Sequence, residues 1–150
     1  MNVLPLISFT IVLLYYGINV RNANRSRQAG LYMQLWNSFR DPRFFRDFSE
    51  VLYHFTWDSY KNYHEKYGVM NNLDDSTKIS SMFLLFENIG GLVKQGLLDI
   101  KVIRDQAGDA FPALWEKYYP VIVEDRKAFN NPRLWNDAEY LYARLMRRDQ

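Results

Sequence analysis

Apolar side chains recur at helical spacing along nearly the whole chain, and this periodicity predicts helices rather than strands. The first twenty residues carry no charged side chain and are mostly apolar. Leu31, Leu35, Trp36 and Phe39 then keep the i, i+4 spacing of one helical face, with no proline before them back to Arg21. We therefore expect one long helix that begins in the apolar segment and continues to the end of this pattern.

Cap and turn residues divide the rest of the chain into further helices. A proline at the first helical position and a glycine just past the last one are typical of helix ends. Pro120 lies inside one of these segments and predicts a kink. The signals predict helices over Asp41–Tyr67, from Asp75 or Ser76 to Gly96, over Asp99–Gln106 and Asp109–Phe129, and from Asn131 onward.

Two adjacent glycines interrupt the most apolar of these helices. Gly90 and Gly91 follow the stripe that contains Phe83 and Phe86. A glycine inside a helix costs about 1 kcal/mol relative to alanine. The pair therefore predicts either a close crossing with another helix or a local break.

The uncharged amino-terminal segment has the length of a membrane span. Twenty helical residues extend about 30 Å, the hydrocarbon thickness of a bilayer. A cleaved signal peptide and a buried core helix are the alternatives, but no basic region precedes the apolar run and no polar face interrupts it. Arg21, Arg25 and Arg27 flank its end. By the positive-inside rule we expect a single-pass protein with its amino terminus outside and its carboxyl-terminal domain in the cytoplasm.

Composition sets the domain count and excludes several classes. A chain of 150 residues that is 48% apolar, with 10 Phe, 11 Tyr and 4 Trp, forms one core and is not disordered. It has no cysteine for disulfides or thiolate metal sites, and its net charge of +2 gives no reason to expect a nucleic-acid partner. The predicted organisation is a transmembrane anchor at residues 1–20, a juxtamembrane helical stalk at 21–40 and a soluble all-α helical bundle at 41–150.

The stretch from Phe86 to Asp99, followed by Trp115-Glu116, Pro120, Arg126 and Glu139-Tyr140-Leu141, resembles a family of prokaryotic proteins known only as a domain of unknown function. An apolar amino-terminal segment followed by Arg27-Gln28-Ala29 is also similar to that family. The resemblance implies a membrane-anchored helical domain. It implies no activity and no catalytic residues.

Candidate chemistry is sparse. Glu50 and His54 are i, i+4 partners and Asp58 lies four residues further, so these three could present metal ligands on one helical face. A di-iron bundle, however, takes paired Glu-x-x-His motifs from several helices, and the chain has none. His64-Glu65 is a still weaker candidate for a metal site. The acidic pair Asp74-Asp75 is more simply a helix cap, and Glu124-Asp125 a solvated face. We predict no cofactor and no bound metal.

Three functions remain open. The leading hypothesis is a non-enzymatic interaction protein, an accessory subunit of a larger membrane complex that contacts the lipid bilayer and membrane-protein partners. The second is a membrane-tethered sensor or effector, in stress or phage defence, that binds a ligand between helices. The third is a metal-dependent enzyme near Glu50, His54 and Asp58, which would need further ligands from other helices.

Overall fold

The computed structural model describes the backbone of residues 4–147 and the side chains of residues 11–106 and 108–147. The regular secondary structure of these described residues is entirely helical, as the apolar periodicity predicts. The chain divides into two compact units, residues 1–38 and residues 39–150. Its elements are α1 (Leu4–Arg40), α2 (Pro42–Ser49), a π-helix (Glu50–His54), α3 (Tyr60–Tyr67), α4 (Leu73–Lys94), α5 (Ile100–Ala107), α6 (Ala110–Ala128) and α7 (Asn136–Met146).

The predicted transmembrane anchor is contradicted. Among the described residues, none of the helices combines the length and the apolar character that a membrane crossing needs. The prediction of a single-pass protein with an outside amino terminus and a cytoplasmic domain is therefore wrong. Residues 1–3 of the predicted anchor lie outside the described residues.

The predicted helix over Asp41–Tyr67 begins as expected but does not continue. Asp41 accepts a hydrogen bond of 2.8 Å from the backbone N–H of Arg43, with Pro42 at the first helical position. After α2 the chain widens into the π-helix, and the backbone of Phe55 is extended. The segment that follows is irregular until Ser59 caps α3, so α2 and α3 are separate helices.

The core of the second unit is built from the apolar faces of α4, α6 and α7. The rings of Phe86 on α4 and Phe111 on α6 stack with their centroids 4.1 Å apart. α6 runs through Pro120 as one helix. The largest fully buried side chains are Tyr118, Phe83, Phe86, Phe111, Ile89, Leu114, Leu141 and Val51.

Gly90 lies where α4 crosses α7. A Cβ atom at this position would overlap the backbone carbonyl of Asp137, whereas one at Gly91 would meet only the Asp137 carboxylate at 3.3 Å. α4 continues through both glycines. Of the two alternatives that the glycine pair predicted, the close helix crossing is confirmed.

The last helix begins later than the Asn131-Pro132 signal predicts. α7 starts at Asn136, after Trp135, which has a left-handed backbone with φ of 57°. Arg126 on α6 donates from Nε and from a terminal nitrogen to the carbonyl of Leu134, at 3.0 and 2.8 Å. This tertiary contact holds the segment before Trp135 in a turn that local sequence signals do not reveal.

Candidate ligand-binding cleft

A cleft of about 490 Å³ lies in the second unit between α3, α4 and α6. Aliphatic side chains, including Ile79 and Val121, form part of its wall. The turn after α3 contributes Val69 and Met70, whose side chains are 61% and 91% exposed and therefore form an open rim. The aromatic side chains that line the cleft are Tyr63, Tyr67, Phe83, Tyr118, Phe129 and Trp135.

Polar groups meet at one wall of this cleft. Oδ1 of Asp125 accepts a hydrogen bond from the hydroxyl of Tyr60 at 2.8 Å and lies 2.9 Å from Nε2 of His64. An ionised carboxylate only accepts hydrogen bonds, so Nε2 of His64 carries the hydrogen. The side chain of Asp125 is 16% exposed and that of His64 is 34% exposed. Asp125 thus fixes the orientation of the imidazole at the edge of the cleft.

Local sequence explains how α3 presents these groups. Tyr60 and His64 are four residues apart and lie on one face of the helix, with their rings 4.6 Å apart. Ser59 caps the helix by accepting from the backbone N–H of Asn62 at 3.2 Å. At the other end the side chain of Asn71 donates to the carbonyl of His64 at 2.9 Å, which anchors the turn that forms the rim.

The tyrosine hydroxyls at the cleft remain protonated at neutral pH. Burial, together with the hydrogen bond to Asp125, raises the pKa of Tyr60 to about 12. Burial likewise raises the pKa of Tyr63 and of Tyr118 above the ordinary value for tyrosine. The hydroxyl of Tyr118 donates to the carbonyl of Val51 at 3.0 Å. These groups are therefore hydrogen-bond donors and not anions.

A partly buried lysine, Lys117, secures the π-helix that precedes α3. Nζ of Lys117 donates to the carbonyls of Val51, Leu52 and Phe55 at 3.1, 2.6 and 2.6 Å. Burial lowers its pKa, and the ammonium group lies 5.4 Å from the ring centre of Trp57. π-Helical segments leave backbone groups without ordinary partners, and they often occur at functional sites. Here Lys117 satisfies three carbonyls at once, so the π-helix is held by a tertiary contact.

The three residues proposed as metal ligands are not brought together on a helical face. Glu50 pairs with Lys78 at 2.8 Å, and His54 is exposed at the end of the π-helix. Asp58 lies beyond that end, where its backbone N–H donates to Asn62. Residues 11–106 and 108–147 contain no group of three or more histidine or acidic side chains placed to hold a metal ion.

Other residues singled out in the sequence have different surroundings from those expected. Arg21, Arg25 and Arg27 are exposed on α1. α4 is capped by Asn72, whose side chain accepts from the backbone N–H of Asp75 at 3.1 Å. The pair Asp74-Asp75 therefore follows the cap residue and does not supply it.

Asp125 is the residue that sequence reasoning missed. The pair Glu124-Asp125 predicts a solvated face, and Glu124 does pair with Lys127 at 2.7 Å. Asp125 instead turns inward to Tyr60 and His64. The i, i+4 spacing of Tyr60 and His64 was a visible signal, but nothing local shows that a carboxylate 61 residues away completes the group.

A family model described as a domain of unknown function, DUF4760, matches residues 5–145, which is most of the chain. This match confirms the resemblance to a family of unknown function. No curated protein matches the chain, and no solved structure matches it.

Proposed function

This chain belongs to the family of the domain of unknown function DUF4760, and we propose that it is a non-enzymatic helical binding protein whose cleft holds a small, largely apolar molecule. The observation that carries the proposal is the cleft between α3, α4 and α6. Its volume of about 490 Å³ lies within the range of about 300–1,000 Å³ that is usual for small-molecule sites. Such sites combine an apolar lining with a few convergent polar groups, which here are His64 and Asp125, with Tyr60 hydrogen-bonded to Asp125 from outside the lining.

The rings that line the cleft pack against one another and against Trp57, which favours a preformed site. The ring of Tyr63 lies 5.1 Å from that of Trp57 and 6.1 Å from that of Tyr118. On the opposite side the rings of Phe83 and Trp135 are 5.7 Å apart. Contacts of this kind hold the lining rings in fixed rotamers, so binding costs little ordering entropy.

Binding is favoured over catalysis by the way the polar groups are connected. An Asp–His pair assists a nucleophile when the imidazole contacts a hydroxyl or thiol. Ser76 and Ser80 line the same cleft. Among the described residues, no hydrogen bond joins either hydroxyl to His64. The proposal therefore gives the Asp125–His64 pair a recognition role.

The biological setting consistent with this role is that of a sensor or effector that responds to its ligand, in stress or phage defence. The prokaryotic origin of the family, expected from the resemblance, is part of this proposal.

The proposal is tested by titrating the full chain with 1-naphthylmethanol. Ligand-observed NMR and tryptophan fluorescence monitor the titration. We expect saturable binding at one site. Ser80→Trp places a large ring at the cleft wall and should abolish binding. Asn88→Trp, at an exposed position of α4 outside the lining, is the matched control and should bind as the unmodified protein does. Equal binding by both variants would place the ligand elsewhere and contradict the proposal.

A second candidate function is association with another protein through α1. Consecutive apolar side chains of α1 are more than half exposed: Ile11 60%, Val12 61%, Leu13 54% and Leu14 62%. Contiguous exposed apolar surface is typical of a protein interaction site. This observation supports the hypothesis of an accessory subunit in a larger assembly.

Two measurements would test this second function. Light scattering gives the size of the purified chain, and mass spectrometry identifies the proteins that co-purify with a tagged copy. We expect a defined stoichiometric assembly that Leu14→Glu disrupts. Met33→Glu, an equally exposed apolar position on the same helix, is the control. A monodisperse monomer with no co-purifying protein would argue against it.

A further inference from the structure

Charge is unevenly distributed around the cleft. Among the described side chains that line it, Asp125 is the one carboxylate and there is no lysine or arginine. The neighbouring cations are engaged with other groups. Arg126 binds the carbonyl of Leu134 and the carboxylate of Glu139, and Lys127 binds Glu124. With a neutral imidazole at His64 the lining therefore carries a net negative charge.

The polar wall offers hydrogen-bond acceptors to an occupant. The Asp125 carboxylate has about four acceptor positions, and the contacts of Tyr60 and His64 fall on Oδ1. When the imidazole of His64 is neutral and Nε2 carries its hydrogen, Nδ1 is an acceptor as well. The Tyr60 hydroxyl has already donated its hydrogen to Asp125. A ligand that meets this wall must therefore bring donors.

The aromatic lining favours a ligand that carries a positive charge. The faces of tyrosine and tryptophan rings attract cations, and the attraction strengthens where water is excluded. Tyr63 and Trp135 line the cleft together with the carboxylate. The apolar body and the positive charge of such a ligand are thus both accommodated within one site.

We propose that the cleft is specific for an organic cation, a protonated amine carried on an aromatic or branched apolar body. Its ammonium group pairs with Asp125 and donates to the acceptors at the polar wall, while its apolar part lies against the rings of Tyr63 and Trp135. This inference rests on the proposed function and names the ligand class of the same site.

Isothermal titration calorimetry of the full chain tests this cation proposal. The three ligands have similar shapes and differ in charge: 1-naphthylmethylamine, 1-naphthylmethanol and 1-naphthoate. A charge-assisted hydrogen bond predicts that the amine binds about tenfold more tightly than the alcohol or better, and that the carboxylate binds most weakly. Equal affinity for amine and alcohol, or a preference for the carboxylate, leaves ligand binding intact and overturns the cation proposal. If none of the three binds, the cation proposal and the proposed function both fail.

A pair of variants identifies the side chain that recognises the positive charge of the ligand. Asp125→Asn should weaken binding of the amine about tenfold and leave binding of the alcohol unchanged. Glu124→Gln removes the same charge one residue away, from a side chain that is 47% exposed and lies outside the lining, and should leave both affinities unchanged. An equal effect of the two variants would show that general electrostatics, and not Asp125, sets the preference and would overturn the assignment. The ligand series on the unmodified chain decides the proposal if Asp125→Asn does not fold.

N,N,N-Trimethyl-1-naphthylmethylammonium separates charge from hydrogen donation. This cation has no N–H, so the acceptors at the polar wall gain nothing from it. We expect it to bind more weakly than the protonated amine. Binding that is equal or tighter would overturn the pairing of amine N–H groups with Asp125 and His64.

Discussion

The carboxylate of Glu87 on α4 accepts a hydrogen bond of 2.8 Å from the backbone N–H of Ala138 in the first turn of α7. Trp135, at the N-cap position of α7, provides no side-chain cap of its own. A residue 51 positions earlier in the chain therefore supplies the contact that a local Ser, Asp or Asn would make in most helices. The start of α7 depends on its packing against α4.

Removal of this cap should destabilise the protein measurably. Glu87→Ala is expected to lower the free energy of unfolding by about 1–2 kcal/mol, because the N–H of Ala138 loses its acceptor. Glu87→Gln keeps an acceptor oxygen and should cost less than half as much. Urea unfolding monitored by circular dichroism measures both, with the exposed neighbour Asn88→Ala as control. Equal losses for the alanine and glutamine variants would contradict the capping role.

The crossing at Gly90 gives a second prediction. Gly90→Ala should lower the free energy of unfolding by about 2–3 kcal/mol, since its Cβ would overlap the carbonyl of Asp137 and force α4 and α7 apart. Gly91→Ala is the matched control. Its Cβ meets only the end of the Asp137 side chain, and alanine favours the helix by about 1 kcal/mol. Thermal and urea unfolding should therefore separate two substitutions that sequence alone treats as equivalent, and similar stabilities would refute the close crossing.

Lys117 provides a third prediction. Lys117→Met keeps much of the side-chain volume but removes the Lys117 donor from the carbonyls of Leu52 and Phe55, and should cost about 2–3 kcal/mol of unfolding free energy. The carbonyl of Val51 keeps the hydroxyl of Tyr118 as a donor. Lys101→Met, at an exposed position of α5, should be within about 0.5 kcal/mol of the unmodified protein. Hydrogen exchange of the amides of residues 50–55 should accelerate selectively in the first variant. Unchanged exchange there would show that the π-helix does not depend on Lys117.

The raised pKa of Tyr60 predicts how stability changes in alkali. The folded state holds this proton up to about pH 12, whereas the unfolded chain releases it near the ordinary value of 10.0. The stabilising contribution of Tyr60 is therefore complete below pH 10 and is lost as the pH rises from 10 toward 12. Over that interval the stability difference between the unmodified protein and Tyr60→Phe should shrink.

Stability measured at intervals from pH 8 to 12 checks this prediction for both proteins. Both proteins contain the same other titratable groups, including Lys117, so the effects of those groups on stability cancel in the difference between the two proteins. Tyr53→Phe, whose ring is 72% exposed, is the control and should keep a constant difference from the unmodified protein. A constant difference for Tyr60→Phe as well would contradict the coupling of Tyr60 to Asp125.

Local sequence signals predicted features that depend on neighbours in the chain. The Asp41-Pro42 pair opens α2 because a carboxylate cap and a proline at the first helical position both match the unpaired N–H groups of a helix start. The Gly90-Gly91 pair indicated a close crossing or a local break because glycine inside a helix is unfavourable without a packing reason. Such signals act within one or two helical turns.

The site could not be predicted in the same way. Asp125 joins Tyr60 and His64 across more than sixty residues, and the acidic pair that contains it has the pattern of a solvated face. The metal hypothesis rested on a local pattern of the same kind. It assumed an unbroken helix through Glu50, His54 and Asp58, but the contacts of Lys117 support a π-helix that ends before Asp58.

The sequence by itself determined that this chain is helical and where several of its helices begin, because helix periodicity and caps are short-range properties. Tertiary structure decided which glycine is indispensable, how α7 is capped and which carboxylate faces the cleft. Each of these features depends on atoms that come together only when helices distant in sequence pack against each other. Packing also buries these atoms, so that a single hydrogen bond or the absence of one Cβ atom affects the stability of the fold.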